Sequence, residues 1–116
     1  MLRIDTRQSD AVTILDLTGE LVFGPGSQSL AQHIKQLVAD NRTPILVRLD
    51  GVSFIDSCGV GELIAGFTSV RKNGGTLKIS GAGERVSEVL KIVRLPLVID
   101  VYDSEAEALA SFGDAD

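Results

Sequence analysis

Tryptophan is absent from this chain, and aromatic side chains of all kinds make up only 4% of it. No large aromatic platform is available for stacking bases or sugars, so aliphatic side chains must build the core. Cysteine occurs once, as Cys58, which rules out an internal disulfide and any multi-cysteine metal site. Histidine also occurs once, so a zinc cage is nearly excluded and no metal or other cofactor is expected. No apolar run approaches the roughly 20 residues that a membrane helix needs. The opening Met1-Leu2-Arg3-Ile4-Asp5 alternates polar and apolar residues where a signal peptide would be unbroken. Basic clusters are missing too: none exceeds the pair Arg71-Lys72, in a chain of formal charge −5. A nucleic-acid backbone needs a basic patch, so nucleic acid is not an expected partner. These absences together lead us to expect a soluble, cytoplasmic protein with no membrane contact.

What is present suffices for one core. A chain of 116 residues is the ordinary size of a single domain. It buries roughly 65% of its unfolded surface, and 44% of its residues are hydrophobic. Leu2 to Arg7 and Ala11 to Gly19 alternate as strands do, joined by Gln8-Ser9-Asp10. Gly24-Pro25-Gly26 is the strongest breaker. Ser27 is placed to cap a helix running to about Asp40, with Leu30, Ile34, Leu37 and Val38 on one face. Ile45 to Leu49 reads as a strand covered on both faces. A helix is expected over 57–72, with Val60, Leu63, Ile64, Phe67 and Val70 at helical spacing and Asn73-Gly74-Gly75 ending it. Thr76 to Ser80 is a further strand, Glu84 to Val93 a helix, and Leu97 to Tyr102 a final strand. Ser104-Glu105-Ala106-Glu107 is a capping box opening the last helix. The order ββαβαβαβα predicts an α/β fold: one domain over residues 1–116, a mixed, mostly parallel sheet of about four to five strands, and four helices.

The chemistry concentrates in Phe54-Ile55-Asp56-Ser57-Cys58-Gly59-Val60-Gly61. A serine opening a helix after a buried strand has its hydroxyl near free backbone N–H groups and the positive end of the helix dipole, where a phosphate is stabilised. Gly59 and Gly61 leave the first turn without side chains, so another protein's backbone or a nucleotide can approach. The same spacing also suits a plain cap with packing glycines. A Cys58/His33 hydrolase would lack an orienting third residue and an oxyanion hole. Gly81-Ala82-Gly83 lacks the third glycine of a dinucleotide loop. The acids Asp103, Glu105, Glu107, Asp114 and Asp116 read as a solvated helix face. No catalytic residue set is expected, and the chain is read as non-enzymatic.

The segment from Asp50 to Gly61 resembles the phosphorylation segment of the STAS-domain anti-sigma factor antagonists of bacteria, where an Asp-Ser pair is followed by a small residue and Gly. Leu17-Thr18-Gly19-Glu20-Leu21, Asn73-Gly74-Gly75-Thr76-Leu77 and the stretch from Val101 to Leu109 match in the same order. The resemblance implies partner switching. An anti-sigma factor serine kinase of the GHKL type would bind the unmodified protein and phosphorylate Ser57, and a serine phosphatase would reset it. It implies a partner-binding surface of Phe23, Gly24, Asp56, Cys58, Gly59 and Gly61, with a weak nucleotide contact. Two departures stand out. Val22 occupies the place of the family's usual Asp, and Cys58 replaces the second serine of the Asp-Ser-Ser-Gly form. The alternative within the family is a scaffold or a small-ligand or nucleotide-sensing module without a phospho-switch.

Overall fold

A computed structural model describes residues 2–113. Strand β1 (Arg3–Ser9) folds back antiparallel on β2 (Val12–Leu21), with Ser9 opposite Val12. The turn is therefore Asp10-Ala11 rather than Gln8-Ser9-Asp10. Asp10 takes φ 52°, a left-handed conformation that Asp tolerates better than most residues. Next come helix α1 (Pro25–Ala39), strand β3 (Pro44–Ile55), helix α2 (Ser57–Lys72), strand β4 (Thr76–Ser80) and helix α3 (Glu84–Ile92). A short 3-10 turn (Leu95–Leu97), strand β5 (Val101–Tyr102) and helix α4 (Glu105–Gly113) complete the chain. The five strands lie in sequence order, with every pair after the first parallel.

The period-2 pattern sorts the sheet's two faces. Leu15 and Leu17 of β2, Ile45, Val47 and Leu49 of β3, and Leu77 and Ile79 of β4 form the main core. Leu30, Ile34, Val60, Leu63, Val86 and Leu90 of α1, α2 and α3 complete it. The alternate residues Val12, Ile14 and Leu46 form a smaller cluster with Ala108 of α4. Lys78 shares this second face and is buried. Its Nζ donates to Ser111 Oγ at 2.8 Å and lies 4.8 Å from the Phe112 ring centroid, so the ammonium clamps α4 to the sheet. Beyond α4 that face is polar. Arg7 bridges Asp16 and Glu105, while Arg48 reaches Asp16, Asp50 and Glu105. Asp16 is thereby held below the usual carboxylate range, chiefly by the Arg7 hydrogen bond.

Three expectations need correction. Helix α1 begins at Pro25 with Gly24 as its N-cap, three residues before the expected Ser27 cap. Proline suits this position because its missing N–H would have no helical partner there. Strand β3 does not stop at Leu49. Gly51, Val52, Phe54 and Ile55 continue beside Thr18, Gly19, Glu20 and Leu21, with two register shifts. Gly51 permits this, since a Cβ there would stand 2.9 Å from the Leu17 carbonyl oxygen. The last strand is two residues long, not six. Arg94 at φ 60° and Pro96 turn the chain locally, and Val98 and Ile99 donate to the Leu95 carbonyl instead of to a strand. Leu95 and Ile99, both buried, anchor that turn in the core.

Candidate functional site

The end of β3 and the start of α2 form the site. Asp56 is the N-cap of α2, with extended backbone angles, and its Oδ1 accepts from the Gly59 N–H at 2.9 Å. Oδ2 accepts from the Phe23 N–H at 3.0 Å. One carboxylate therefore closes the first turn of α2 and also pins the loop that leads into α1. These two backbone donors, Gly59 first, hold the Asp56 carboxyl below its ordinary value because they bond to its charged form. The Asp56 N–H in turn donates to the Leu21 carbonyl at 3.3 Å, tying the cap to the end of β2.

Ser57 is the first residue of α2 and is exposed, as is the free thiol of Cys58. With the Asp56 carboxylate turned toward Gly59 and Phe23, Ser57 Oγ has no hydrogen-bond partner among the described residues. It sits at the positive end of a 16-residue helix. Gly24 takes φ 132°, a conformation L side chains rarely adopt, and this lets the loop turn into α1.

The two glycines of the first turn play different parts. Gly59 is buried, and a Cβ there would collide with the Leu21 carbonyl oxygen and crowd Ile55. It is a packing glycine, which corrects the expectation that it opens the turn to a partner's backbone. Gly61 instead faces open space. Sequence reasoning missed two apolar members of this surface. Phe54 is 41% exposed, where a large apolar residue near the end of a strand would be expected to bury. Ile64, assigned above to the inward face of α2, is 36% exposed and shares the outer helical stripe with Ser57 and Gly61. Phe23, whose N–H bonds the Asp56 carboxylate, is 79% exposed. The i, i+4, i+7 spacing of Ser57, Gly61 and Ile64 was a signal available for Ile64.

His33 is half-buried and its Nδ1 lies 2.8 Å from the Ser29 carbonyl of its own helix, so it is engaged away from Cys58. Among the described residues, no group of three or more His, Cys, Asp or Glu side chains is arranged to hold a metal ion. None of the described helices is long and apolar enough to cross a membrane. Of the expected acidic face, Glu105 is engaged by Arg7 and Arg48, Glu107 bonds within the cap with Ser104, and Asp103 is exposed. Asp114 and Asp116 lie outside the described residues.

A five-stranded mixed sheet with four helices, one of them opening at Ser57 under the Asp56 cap, is the frame of the site. The STAS domain family model matches residues 3–108, and the chain belongs to that family. Its relatives include the anti-sigma-B factor antagonist of Bacillus subtilis (strain 168), 28% identical over 101 residues, which cover 86% of this chain and 90% of the relative. A crystal structure of an anti-sigma factor antagonist from Mycobacterium paratuberculosis shares the fold with a TM-score of 0.81 at 22% identity, covering 96% of this chain and 93% of that one. The Bacillus cell fate determinant SpoIIAA in its phosphorylated form is similar with a TM-score of 0.72 at 17% identity, covering 95% of this chain and 99% of that one.

Proposed function

We propose that this protein is an anti-sigma factor antagonist that works by partner switching, with Ser57 as the switch. Unmodified, it docks on an anti-sigma serine kinase of the GHKL type and so releases the sigma factor. The kinase transfers the γ-phosphoryl group of ATP to Ser57 Oγ; ADP leaves and the hydroxyl proton passes to a base on the kinase. A serine phosphatase hydrolyses the phosphoserine and resets the cycle. The protein itself contributes no catalytic residues. The observation that carries this reading is the exposed Ser57 hydroxyl at the first position of α2, with no hydrogen-bond partner among the described residues, next to Asp56, whose carboxylate holds the N–H of the exposed Phe23.

The physical consequence is electrostatic. Phosphorylation adds about −1.5 to −2 charges at neutral pH to a chain already at −5, next to the ionised Asp56. An apolar surface that accepts a neutral hydroxyl would have to desolvate that charge, so docking weakens. The helix itself is not disturbed, because the new charge sits at its favourable end. Incubation with a cognate kinase and ATP, followed by peptide mass spectrometry, tests the assignment. Phosphate is expected on Ser57; phosphate on Ser53 instead would remove Ser57 from the role.

A further inference from the structure

Phe54 and Ile64, the exposed apolar residues of β3 and α2, have backbones fixed by a strand ladder and a helix. Phe23 differs from both. It lies in the short connection Val22-Phe23-Gly24, between the end of β2 at Leu21 and the start of α1 at Pro25. At 79% exposure its ring has little protein to pack against, so the side chain does not fix its own place. The backbone does: the Phe23 N–H donates to Asp56 Oδ2 at 3.0 Å. Two residues earlier, the Leu21 carbonyl accepts from the Asp56 N–H at 3.3 Å. Asp56 thus holds this connection with its side chain and its backbone together.

The two oxygens of the Asp56 carboxylate have separate roles. Oδ1 accepts from the Gly59 N–H at 2.9 Å and caps α2, while Oδ2 reaches across 33 positions of sequence to Phe23. Capping needs one acceptor, and asparagine or serine supplies it about as well as aspartate. The second acceptor is what a cap alone does not require. Aspartate accepts at both oxygens, whereas asparagine keeps one oxygen and serine a single, shorter hydroxyl. A fixed backbone matters for an exposed ring that enters a partner. A loose anchor has to be ordered at the moment of binding, and that ordering is subtracted from affinity.

We propose that Asp56 is a positioning residue for docking, whose Oδ2 pre-orders Phe23 as an aromatic anchor for an apolar pocket on the partner kinase. Buried aromatic anchors carry much of the binding energy of protein interfaces. The inference rests on the partner-switching reading above, in which Phe23 belongs to the docking surface. Because the Asp56 oxygens bond Gly59 and Phe23 and not Ser57 Oγ, Asp56 acts on affinity and leaves the phosphoryl-transfer step alone.

A double-mutant cycle tests this, with calorimetric Kd for the cognate kinase and kcat for phosphorylation of each variant of the full chain. Phe23→Ala should weaken binding about thirtyfold, the effect of removing an interface anchor. Asp56→Asn should weaken it about three- to tenfold, the effect of having to order one loose residue, with kcat unchanged. In the Phe23→Ala background the same substitution should change Kd by about twofold or less, because no ring is left to place. Asp56→Ser caps α2 without reaching Phe23 and should reproduce Asp56→Asn, so the result does not hang on how the asparagine amide turns. Thermal melts of both variants should stay close to the wild type. Additive effects of Asp56→Asn and Phe23→Ala would overturn the proposal. So would a fall in kcat for Asp56→Asn, which would put Asp56 to use on the Ser57 hydroxyl. A wild-type chain that the kinase neither binds nor phosphorylates would remove the partner-switching reading itself, and the inference with it.

Discussion

At the scale of single residues, the surface around Ser57 separates groups that shape the fold from groups that face solvent. Gly59 and Gly61 make the cleanest contrast. Gly59→Ala forces a Cβ against the Leu21 carbonyl and should destabilise the protein by about 1–3 kcal/mol. Gly61→Ala meets nothing within 4 Å and should be neutral or stabilising by about 0.4–1 kcal/mol. Chemical denaturation of the two variants measures both, and equal losses would contradict the assignment. Ser57→Asp places a carboxylate at the start of α2, where it should stabilise the monomer by about 0.3–1 kcal/mol. The same carboxylate at a desolvated interface should cost about 3 kcal/mol or more of binding. Ser57→Ala should bind constitutively. Calorimetric titration against the kinase with parallel melts separates the effects; equal affinities for the two variants would make Ser57 a mere first-turn residue. Asp56 adds a pH dependence. Its folded value lies below the unfolded one, so its contribution is fully present above the ordinary carboxylate range, near 3.9, and is lost as pH falls through the lowered value. Asp56→Asn should flatten the acid limb of stability and free the Phe23 amide to exchange faster.

Elements are held by different forces on the two sides of the sheet. Helices α1, α2 and α3 rest on a continuous aliphatic layer, whereas α4 is held by a small cluster, the Lys78 clamp, and the bonds from Glu105 to Arg7 and Arg48. Asp16 and the two arginines that bond it are between a quarter and two-fifths exposed, so each ion pair contributes modestly and is screened by salt. Asp16→Asn should therefore cost about 1 kcal/mol or less at low ionic strength, and the difference should shrink with added salt. Because Asp16 also has a lowered folded value, its contribution likewise persists above the ordinary carboxylate range and disappears in acid. A salt-independent loss would mean that packing, not charge, anchors this edge.

The whole molecule is one sheet with unequal coverings, and its stability should follow the thicker side. Leu63 is fully buried in the main core. Leu63→Ala should lower global stability by about 2–5 kcal/mol and accelerate exchange of the slowest amides in β2 and β3. If those amides were unaffected, α2 would be unfolding independently of the sheet. At this scale, too, the two ends of the parallel strands differ: one carries the positive start of α2 with Ser57, the other the negative ends of three helices. A parallel sheet with right-sized crossovers imposes that polarity without any single residue encoding it.

Much of this was legible from the amino-acid order. Hydrophobic period and breakers placed every helix and four of the five strands near their positions, because those signals act within a few residues. The Asp56-Ser57 pair, at a strand-to-helix junction, marked the capped start of α2 for the same reason: a cap and a helix start are local objects. Only the tertiary structure decided the rest. The length of β3 depended on β2 lying alongside it, the shortness of β5 on Leu95 and Ile99 seeking the core, and the role of Gly59 on a carbonyl 38 positions earlier in the chain. The exposure of Phe54 and Ile64, and the bond from the Phe23 N–H to the Asp56 carboxylate, likewise depend on how distant segments meet. Such contacts form where chain closure and side-chain packing are satisfied together, and no local pattern carries that information.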